Sequence, residues 1–389
     1  MTTRKYAVRA TALACSAVVL LAACGSDKKT SSTTPATTAA AATTAAGSAT
    51  TVSGATTIAG GSTASGTIAL LLPESATARY ESQDHPLFEA KVTSLCAGCK
   101  VIESNADQDA AKQQTQAEAA LTNGAKVLVL DPVDGKAAAS IVQLANDKKV
   151  PVISYDRLIQ NAKIDLYISF DNEQVGKLQA QALVDKLKAD GKTSGDIVMI
   201  NGSPTDSNAA LFKKGAHSVI DSSGFTVAAE TDTVEWKPEN AQSDMDGDIV
   251  KVGKDKIIGV YAANDGTAGG AIASMKAAGI SPLPPVTGQD AEVAGLQRIL
   301  IGEQYMTVYK AVKLEAEGAA TAAVALLGGT KPATTGTTNN GSIDVPSIIL
   351  TPVAITKDKV KDVVADGFWK ASDICTGAFA SACTAAGVA

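Results

Sequence analysis

Histidine is almost absent from this chain, which contains two among 389 residues, His85 and His217. General acid–base catalysis by histidine therefore has little support, and no histidine lies near the cysteines to complete a zinc site. The motifs GxSxG, GxxxxGKS/T and HExxH are also missing. The sequence predicts neither an enzyme nor a bound cofactor or metal.

The chain also has no excess of basic over acidic residues. The formal net charge is −6 and the isoelectric point is about 5.1, which gives no electrostatic footprint for nucleic acid. Aromatic residues make up 4% of the chain, so their positions matter. Trp236, Tyr80 and Phe170 lie near the ends of apparent strands, where a ring either fills the edge of the core or forms a platform for the C–H face of a sugar. Composition leaves both interpretations open.

The apolar run nearest the N-terminus, TALACSAVVLLAA, is too short to span a bilayer comfortably and follows three basic residues, as in an export signal. It ends in LAAC, which resembles the bacterial lipobox, and its cysteine is Cys24. We predict a signal peptide over residues 1–23, a lipid on Cys24 and anchoring to the outer face of the cytoplasmic membrane, at the cell surface or in the periplasm. An uncleaved anchor and a plain secretory signal are the alternatives. Residues 24–65, rich in Ser, Thr, Ala and Gly, are expected to be a flexible tether.

The remaining cysteines form an even set of four in a chain destined for an oxidising compartment. We predict two local disulfides, Cys96 with Cys99 and Cys375 with Cys383. A CxxC redox centre and half a zinc site are the alternatives for the first pair. The redox alternative is weakened because SLCAGCKV falls between an apparent helix and a strand rather than at a helix N-terminus.

From residue 67 onward, apolar strand-like runs alternate with segments of helical period. The runs TIALLL, KVLVL, VPVIS and DIVMI are continuously apolar, as expected for parallel strands that helices cover on both faces. We predict an α/β fold with doubly wound parallel sheets, more than one because the region has some 300 residues. Ligands of such sheets lie beyond the carboxyl ends of the strands, where this chain places stretches rich in Asp, Asn, Gln, Ser and Arg, such as YDR, NGSPTDSN, AANDGT and TGQD.

Several of these stretches together resemble one family. YDRLIQNAKIDLYISFDNEQVGKLQAQALV, NGSPTDSNAALF, WKPENA, NDGTAGGAI, TGQDAEVAGLQRI, YMTVYK and TTNNGSIDVPSIILTP are similar, in order, to the type I periplasmic sugar-binding proteins of ABC importers, and within them to the D-xylose-binding group. The resemblance implies two Rossmann-like lobes joined by a three-strand hinge that closes on a sugar. The crossovers are expected near residues 170–172, 287–289 and 350–352.

The resemblance also implies a division of the chain. The first lobe would contain residues 66–171 plus 290–349 and the second residues 172–289 plus 350–370, and residues 371–389 would form a tail. Carried over by matching motif, the ligand-binding residues would be Arg79, Tyr80, Asp156, Arg157, Phe170, Asn208, Trp236, Asn264, Asp290 and Lys310. The carboxylates would accept hydrogen bonds from sugar hydroxyls, the cations would donate, the amides would do both, and the aromatic rings would sandwich the sugar.

The identity of the sugar stays open at this point. Tyr80 and Asp232 stand where the D-xylose-binding pattern has tryptophan, so D-xylose and a hexose such as glucose are both candidates. The implied function is that of a monomeric lipoprotein that captures a monosaccharide and delivers it to an ABC permease and its ATPase subunit. A sensor that signals to a membrane receptor without transport is the alternative. A sugar-cleaving enzyme would use Asp156 and Asp290 as a carboxylate pair, and a LacI-type regulator would need a helix-turn-helix where the signal and tether lie.

Overall fold

The computed structural model describes residues 65–388, which lie within one compact unit. The predicted signal peptide, Cys24 and all but the last residue of the predicted tether lie outside the described residues. No helix between residues 65 and 388 combines the length and apolarity needed to cross a bilayer.

The strands occur in both halves of the described region. In chain order they are β1 Ser65–Leu72, β2 Gly98–Asn105, β3 Ala125–Leu130, β4 Val152–Tyr155, β5 Leu166–Phe170, β6 Asp196–Asn201, β7 Thr226–Asp232, β8 Ile257–Ala262, β9 Met306–Tyr309, β10 Gly336–Asn339, β11 Asp344–Leu350 and β12 Val353–Thr356. The apolar strands of the first lobe are buried, as their sequences predict. Strands β1 and β3 are buried along most of their length, and every residue of β4 and β5 is buried.

Helices alternate with these strands. They are α1 His85–Leu95, α2 Ala110–Thr122, α3 Ala139–Asp147, α4 Asn172–Ala189, α5 Ser207–Ile220, α6 Pro238–Val252, α7 Asp265–Ala277, α8 Val293–Ile301, α9 Val312–Leu327, α10 Val360–Ala365, α11 Ala371–Ile374 and α12 Ala380–Ala386. A π-helical turn, Tyr80–Asp84, leads into α1. Short 3₁₀ turns occur at Val234–Trp236, Lys357–Lys359 and Gly377–Phe379.

The first sheet has the strand order β10-β11-β5-β4-β3-β1-β2. Its strands are parallel except that β10 is antiparallel to β11. Helices α1 and α9 cover one face, where Phe88, Val92 and Ala319 pack on Ile68 and Val127, and α2 and α3 cover the other. This arrangement, together with the second sheet, confirms the predicted α/β fold with doubly wound parallel sheets, and the β10 hairpin is an antiparallel addition.

The second sheet is built on β7-β6-β8, all parallel. Isolated bridges from Val260 to Val286 and from Gln289 to Val308 continue it towards β9, which pairs with β12 in antiparallel fashion. Helices α4 and α5 cover one face, and α6 and α7 cover the other. The two sheets therefore define two lobes within the described unit.

The second predicted lobe boundary, at residue 290, differs from the structure. Residues 290–309 stay with the second lobe, because α8 packs against α7 and β9 pairs with β12. The chain returns to the first lobe only at α9, whose Ala316 and Ala319 enter the core of the first sheet. The sequence stretch TGQD marks a strand end correctly, but the crossover lies about 20 residues later, after β9.

The C-terminal residues form a small core of their own with the second lobe. Phe368, Ile374 and Cys383 pack with Leu296 and Ile299 of α8. A disulfide joins Cys375 to Cys383, and a second disulfide joins Cys96, just after α1, to Cys99 in β2. Both bonds are the pairings predicted from sequence, and they close short loops at opposite ends of the described region.

Candidate ligand-binding cleft

One cavity lies between the lobes at the carboxyl ends of both sets of parallel strands. It encloses about 300 Å³, counted to its open mouth, which is at the lower end of the range for small-molecule sites. It is lined by Thr77, Arg79, Tyr80, Asp156, Arg157, Asp206, Asn208, Phe212, Trp236, Asn264, Gln289, Asp290 and Lys310. Nine of the ten residues predicted from sequence are in that set, and Phe170 is not.

Arg79 is the most heavily paired cation in the cleft. Its Nη2 lies 2.8 Å from Asp84 Oδ1, 2.8 Å from Asp156 Oδ2 and 3.2 Å from Glu315 Oε2. Its Nη1 lies 3.8 Å from Asp290 Oδ1. The side chain is 2% exposed, so these carboxylates replace the water that a guanidinium would otherwise bind. Arg79 is thereby held in one position before any ligand needs to contact it.

Arg157 is paired differently. Its Nε lies 3.0 Å from Asp206 Oδ2, on the second lobe, and 3.6 Å from Asp131 Oδ1, on its own lobe. Its Nη2 donates to the hydroxyl of Tyr80 at 3.4 Å. Both guanidinium groups approach the ring of Tyr80, at 5.0 Å for Arg79 and 6.0 Å for Arg157. Tyr80 therefore connects the two cations through cation–π contacts.

Asp156 and Asp290 occupy equivalent turns, one in each lobe. Both have positive φ, 53° and 87°, a region that residues other than glycine rarely adopt, although aspartate tolerates it better than most. The N–H of Asp156 donates to Ile168 O at 2.9 Å, and that of Asp290 donates to Val308 O at 2.8 Å. Each carboxylate is thus aimed into the cleft by a strained backbone tied to the neighbouring strand, as is common where strain serves a site.

Lys310 connects these two carboxylates. Its Nζ lies 3.2 Å from Asp290 Oδ1 and 3.8 Å from Asp156 Oδ2. The same ammonium lies 5.9 Å from the ring centre of Phe170 and 6.0 Å from that of Phe212. Phe170 thus stands behind Lys310 as part of its surroundings and does not form the predicted stacking wall.

The aromatic wall of the cavity is formed by Trp236 and Phe212. Their ring centres are 6.4 Å apart with the planes 68° from parallel, and the indole N–H of Trp236 donates to Asp206 Oδ2 at 3.1 Å. A Cβ on Gly202 would lie 1.9 Å from the indole, so only glycine allows the ring to lie where it does. Trp236 is 4% exposed. Its face is fixed by a hydrogen bond on one edge and by backbone contact behind.

Two asparagines complete the polar lining. Asn208 donates to Asp156 Oδ1 at 2.7 Å, and its own Oδ1 accepts from Asn172 at 2.9 Å. Asn264 caps α7, where its side chain accepts from Thr267 N at 2.8 Å in a reciprocal capping box. The stretch NDGT therefore forms a capped turn from β8 into α7. The cap places the amide of Asn264 at the cavity wall.

Acidic groups outnumber basic groups around the cleft, and their protonation differs. Burial disfavours the charged form of Asp156, but Lys310 and Arg79 outweigh burial and hold the pKa of Asp156 below its usual value. Burial, reinforced by the charge of Asp156, raises the pKa of Glu315 well above its usual range. Burial likewise raises the pKa of Asp131 well above its usual range, although Arg157 opposes the shift. Both shifts favour the protonated form, which lowers the cost of burying so many acidic groups together.

Sequence reasoning missed four residues that line the cavity: Thr77, Asp206, Phe212 and Gln289. Asp206 and Gln289 lie in NGSPTDSN and TGQD, which were recognised as strand-end stretches, and Phe212 lies one helical turn after Asn208. It also missed Asp84 and Glu315 behind Arg79. Glu315 lies inside α9, where no local pattern distinguishes it from a solvated helix residue.

The arrangement suits a small neutral molecule with many hydroxyl groups. Cations donate and carboxylates accept at fixed positions, the amides do both, and the Trp236 face offers an apolar surface for C–H groups. Within residues 65–388 no group of three or more His, Cys, Asp or Glu side chains is placed to hold a metal ion. The geometry is therefore that of a binding site whose selectivity comes from paired hydrogen bonds.

Known proteins are similar to this chain in sequence and in fold. The profile of the periplasmic binding protein domain matches residues 68–331. A D-xylose-binding periplasmic protein of Escherichia coli (strain K12) is 41% identical over 297 residues, which is 75% of this chain and 88% of that protein. A multiple sugar-binding periplasmic receptor of Rhizobium radiobacter is 35% identical over 329 residues, 79% of this chain and 92% of that protein.

Solved structures of solute-binding proteins are also similar to this chain in fold. A carbohydrate transporter solute-binding protein from Chloroflexus aurantiacus, in complex with D-glucose, has a TM-score of 0.72 and 32% identity, covering 79% of this chain and 97% of that one. An ABC transporter solute-binding protein from Clostridium phytofermentans, with bound β-D-glucose, has a TM-score of 0.73 and 28% identity, covering 79% and 99%.

Proposed function

Because the chain belongs to the periplasmic binding protein domain family, we propose that it captures a monosaccharide between its two lobes and delivers it to an ABC importer. The observation that carries the proposal is the combination, in one buried cavity, of three cations, three carboxylates and an indole face. The named functions of the relatives, which are sugar-binding proteins, support it.

The ligand is an aldose that can present its ring to Trp236 and its hydroxyls to the two aspartate turns. D-xylose and D-glucose are the candidates, because the names of the relatives include both sugars. Such a sugar has about ten to twelve heavy atoms, so a micromolar dissociation constant needs about 0.7–0.8 kcal/mol per atom, within the range of small ligands. An analogue that lacks one hydroxyl leaves a buried charged group unpaired and is bound far more weakly.

The proposal includes a cellular location for the protein. A lipid on Cys24 would hold the protein at the outer face of the cytoplasmic membrane, and the Ser/Thr/Ala-rich stretch after it would let the folded unit reach a permease and its ATPase partner as a monomer. A coil of about 40 residues reaches roughly 35 Å. Incorporation of a labelled fatty acid in a bacterial host, lost in Cys24→Ala, tests the anchor. Labelling that persists in the variant contradicts it.

Calorimetric titration of the purified protein with pentoses and hexoses tests the binding function. We expect D-xylose or D-glucose to bind, and thermal unfolding to shift by the equivalent of about 2.7 kcal/mol when the sugar is at a hundred times its dissociation constant. Asp156→Asn should abolish binding, because its carboxylate accepts from Asn208 and contacts Arg79 and Lys310. Asp185→Asn, which changes an exposed carboxylate on α4, is the matched control.

Two outcomes would contradict the proposal. If no pentose or hexose binds, the ligand class is wrong. If labelled oligosaccharides are cleaved during incubation, with Asp156 and Asp290 required, the protein acts as a glycosidase instead.

A further inference from the structure

The C-terminal segment 366–388, here called the brace, contacts pocket-bearing elements of both lobes. We propose that Trp369 of the brace is a positioning residue for the sugar site, because it holds the turn that aims Asp290 into the cavity. The proposal rests on the proposed function and adds to it a residue that lies outside the cavity lining.

The turn that Trp369 holds is strained. Asp290 has φ 87° and the next residue, Ala291, has φ 49°, so two consecutive residues other than glycine adopt the left-handed region. Such a conformation persists only where the surroundings enforce it. Three hydrogen bonds do so: Asp290 N donates to Val308 O at 2.8 Å, Ala291 N donates to Thr307 Oγ1 at 3.2 Å, and the indole N–H of Trp369 donates to Ala291 O at 2.8 Å.

Trp369 supplies the only one of these three bonds that comes from outside the second sheet and its bridging strand segments. The Thr307 and Val308 bonds restrain the N–H groups of the turn, whereas Trp369 restrains its carbonyl. Without the indole N–H, the Ala291 carbonyl loses that partner, and the peptide group after the Asp290 turn is freer to rotate towards an unstrained conformation. Because Asp290 lies 3.2 Å from Lys310, such a rotation would disturb two cavity residues together.

The brace is itself firmly placed. The ring of Phe368 lies 5.1 Å from that of Tyr309 and 5.2 Å from that of Trp369, and the Tyr309 hydroxyl donates to Asp366 at 2.5 Å. Gln297 on α8 donates to Ile374 O at 2.9 Å, just before the Cys375–Cys383 disulfide. Tyr309 directly precedes Lys310. The brace therefore packs next to both members of the Lys310–Asp290 pair.

The brace also meets the first lobe. Gln83, in the π-helical turn that follows Arg79, donates from Nε2 to Phe368 O at 3.0 Å. This bond joins the residue before Trp369 to the turn that carries Tyr80. It forms only when the lobes stand as close as they do here, so the brace links the position of Asp290 to closure on the ligand.

A purely structural brace would cover the apolar core of α8 and need no indole N–H. Trp369→Phe separates these roles, because phenylalanine keeps a ring next to Phe368 but cannot donate to Ala291. We expect the dissociation constant of the best monosaccharide to rise about fivefold, the loss of one ordinary hydrogen bond. Gln83→Ala should raise it about twofold without changing the melting temperature of the unliganded protein. Gln181→Ala, which removes an exposed amide that donates to Asp185, is the matched control.

Hydrogen exchange of the unliganded full chain gives a readout that does not depend on sugar. Peptides covering residues 288–293 should exchange faster in Trp369→Phe than in the wild type, with the exchange of β6 unchanged. Slower or equal exchange in those peptides, or a lower melting temperature with unchanged sugar affinity, overturns the positioning role even though sugar binds. A wild-type protein that binds no monosaccharide defeats the proposed function instead, and the exchange result still decides whether Trp369 holds the turn.

Discussion

Arg79 and Arg157 are equally buried but depend on different parts of the molecule. Three carboxylates of the first lobe, those of Asp84, Asp156 and Glu315, lie within 3.2 Å of Arg79. The nearest carboxylate to Arg157 belongs to Asp206 on the second lobe, and its first-lobe partner Asp131 is 3.6 Å away. One cation is therefore placed by its own lobe, whereas the other completes its pairing across the cleft.

The difference separates stability from closure. A buried charge that loses its partner is costly, so Arg79 and its carboxylates stabilise the first lobe whether or not the lobes are together. Arg157 gains its best partner only in the arrangement that encloses the ligand, so it contributes to closure more than to the first lobe alone. Four variants can break or sharpen this comparison.

Arg79→Met should have the largest effect. It leaves Asp84, Asp156 and Glu315 buried without their shared cation, and we expect the free energy of unfolding without sugar to fall by about 3–5 kcal/mol. Denaturant unfolding of the unliganded protein measures this, with Lys251→Met at an exposed position as control. A loss no larger than that of the control would show that Arg79 is not preorganised by its lobe.

Arg157→Met should affect binding more than stability. Removing a buried charged donor is expected to weaken monosaccharide binding about 100-fold. The unliganded protein should lose less stability than Arg79→Met, because Arg157 has one carboxylate partner in its own lobe, Asp131 at 3.6 Å, whereas Arg79 has three. Titration calorimetry and unfolding on the same samples measure both quantities. Equal destabilisation by the two variants would erase the contrast between the arginines.

Two buried acids outside the cavity lining, Glu292 and Asp265, make the stability of the folded protein depend on pH. Burial, together with Asp265 and Asp290, raises the pKa of Glu292 to about 8, and burial raises that of Asp265 to about 7. Both pKa values are above those of the unfolded chain, so the folded state binds more protons. The stability from these groups is complete below about pH 4 and is lost progressively as the pH rises from there to the folded-state values of about 7 and 8.

Glu292→Gln should therefore reduce the fall in melting temperature between pH 5 and pH 9. Thermal unfolding at a series of pH values without sugar measures this, and Glu303→Gln, a partly exposed glutamate, serves as control. An unchanged pH profile would show that Glu292 does not retain its proton when the protein folds.

Ser207→Ala should have the smallest effect and should act on closure alone. The Ser207 hydroxyl accepts from Leu158 N at 2.8 Å across the cleft, one residue from Arg157. Its loss should raise the dissociation constant two- to threefold, about the net contribution of one hydrogen bond, without changing unliganded stability. Ser222→Ala, whose hydroxyl donates to Val219 within one lobe, is the control. A lower melting temperature of the unliganded variant would show that this hydrogen bond stabilises the unliganded protein and does not act on closure alone.

Most of the fold could be read from local sequence pattern. Helix α4 spans Asn172–Ala189, one of the segments of helical period, because Asp171 caps it and apolar residues recur at helical spacing. The strand β10, with the sequence GTTN, has no apolar run and exists because β11 offers it an edge. The crossover after residue 309 depends on the pairing of β9 with β12, which are far from residue 290 in sequence and carry no local signal of it.

The site was predictable where its residues follow strands. Asp156, Arg157, Asn264 and Asp290 all do, and each lines the cavity. Residues that enter from helices were harder: Phe212 and Glu315 are distinguishable only once α5 and α9 are packed. Phe170 ends a strand and still stands behind Lys310, since alternation along a strand decides which face a side chain occupies.

This chain contains two tryptophans. Trp236 lies in the wall of the cavity, and Trp369 lies on the brace beside it. Trp369→Phe keeps the cavity wall and leaves Trp236 as the single indole emitter. Fluorescence of that variant during a sugar titration follows the wall, and its difference from the wild type follows the brace, so the protein carries one native optical probe for ligand arrival and one for lobe closure.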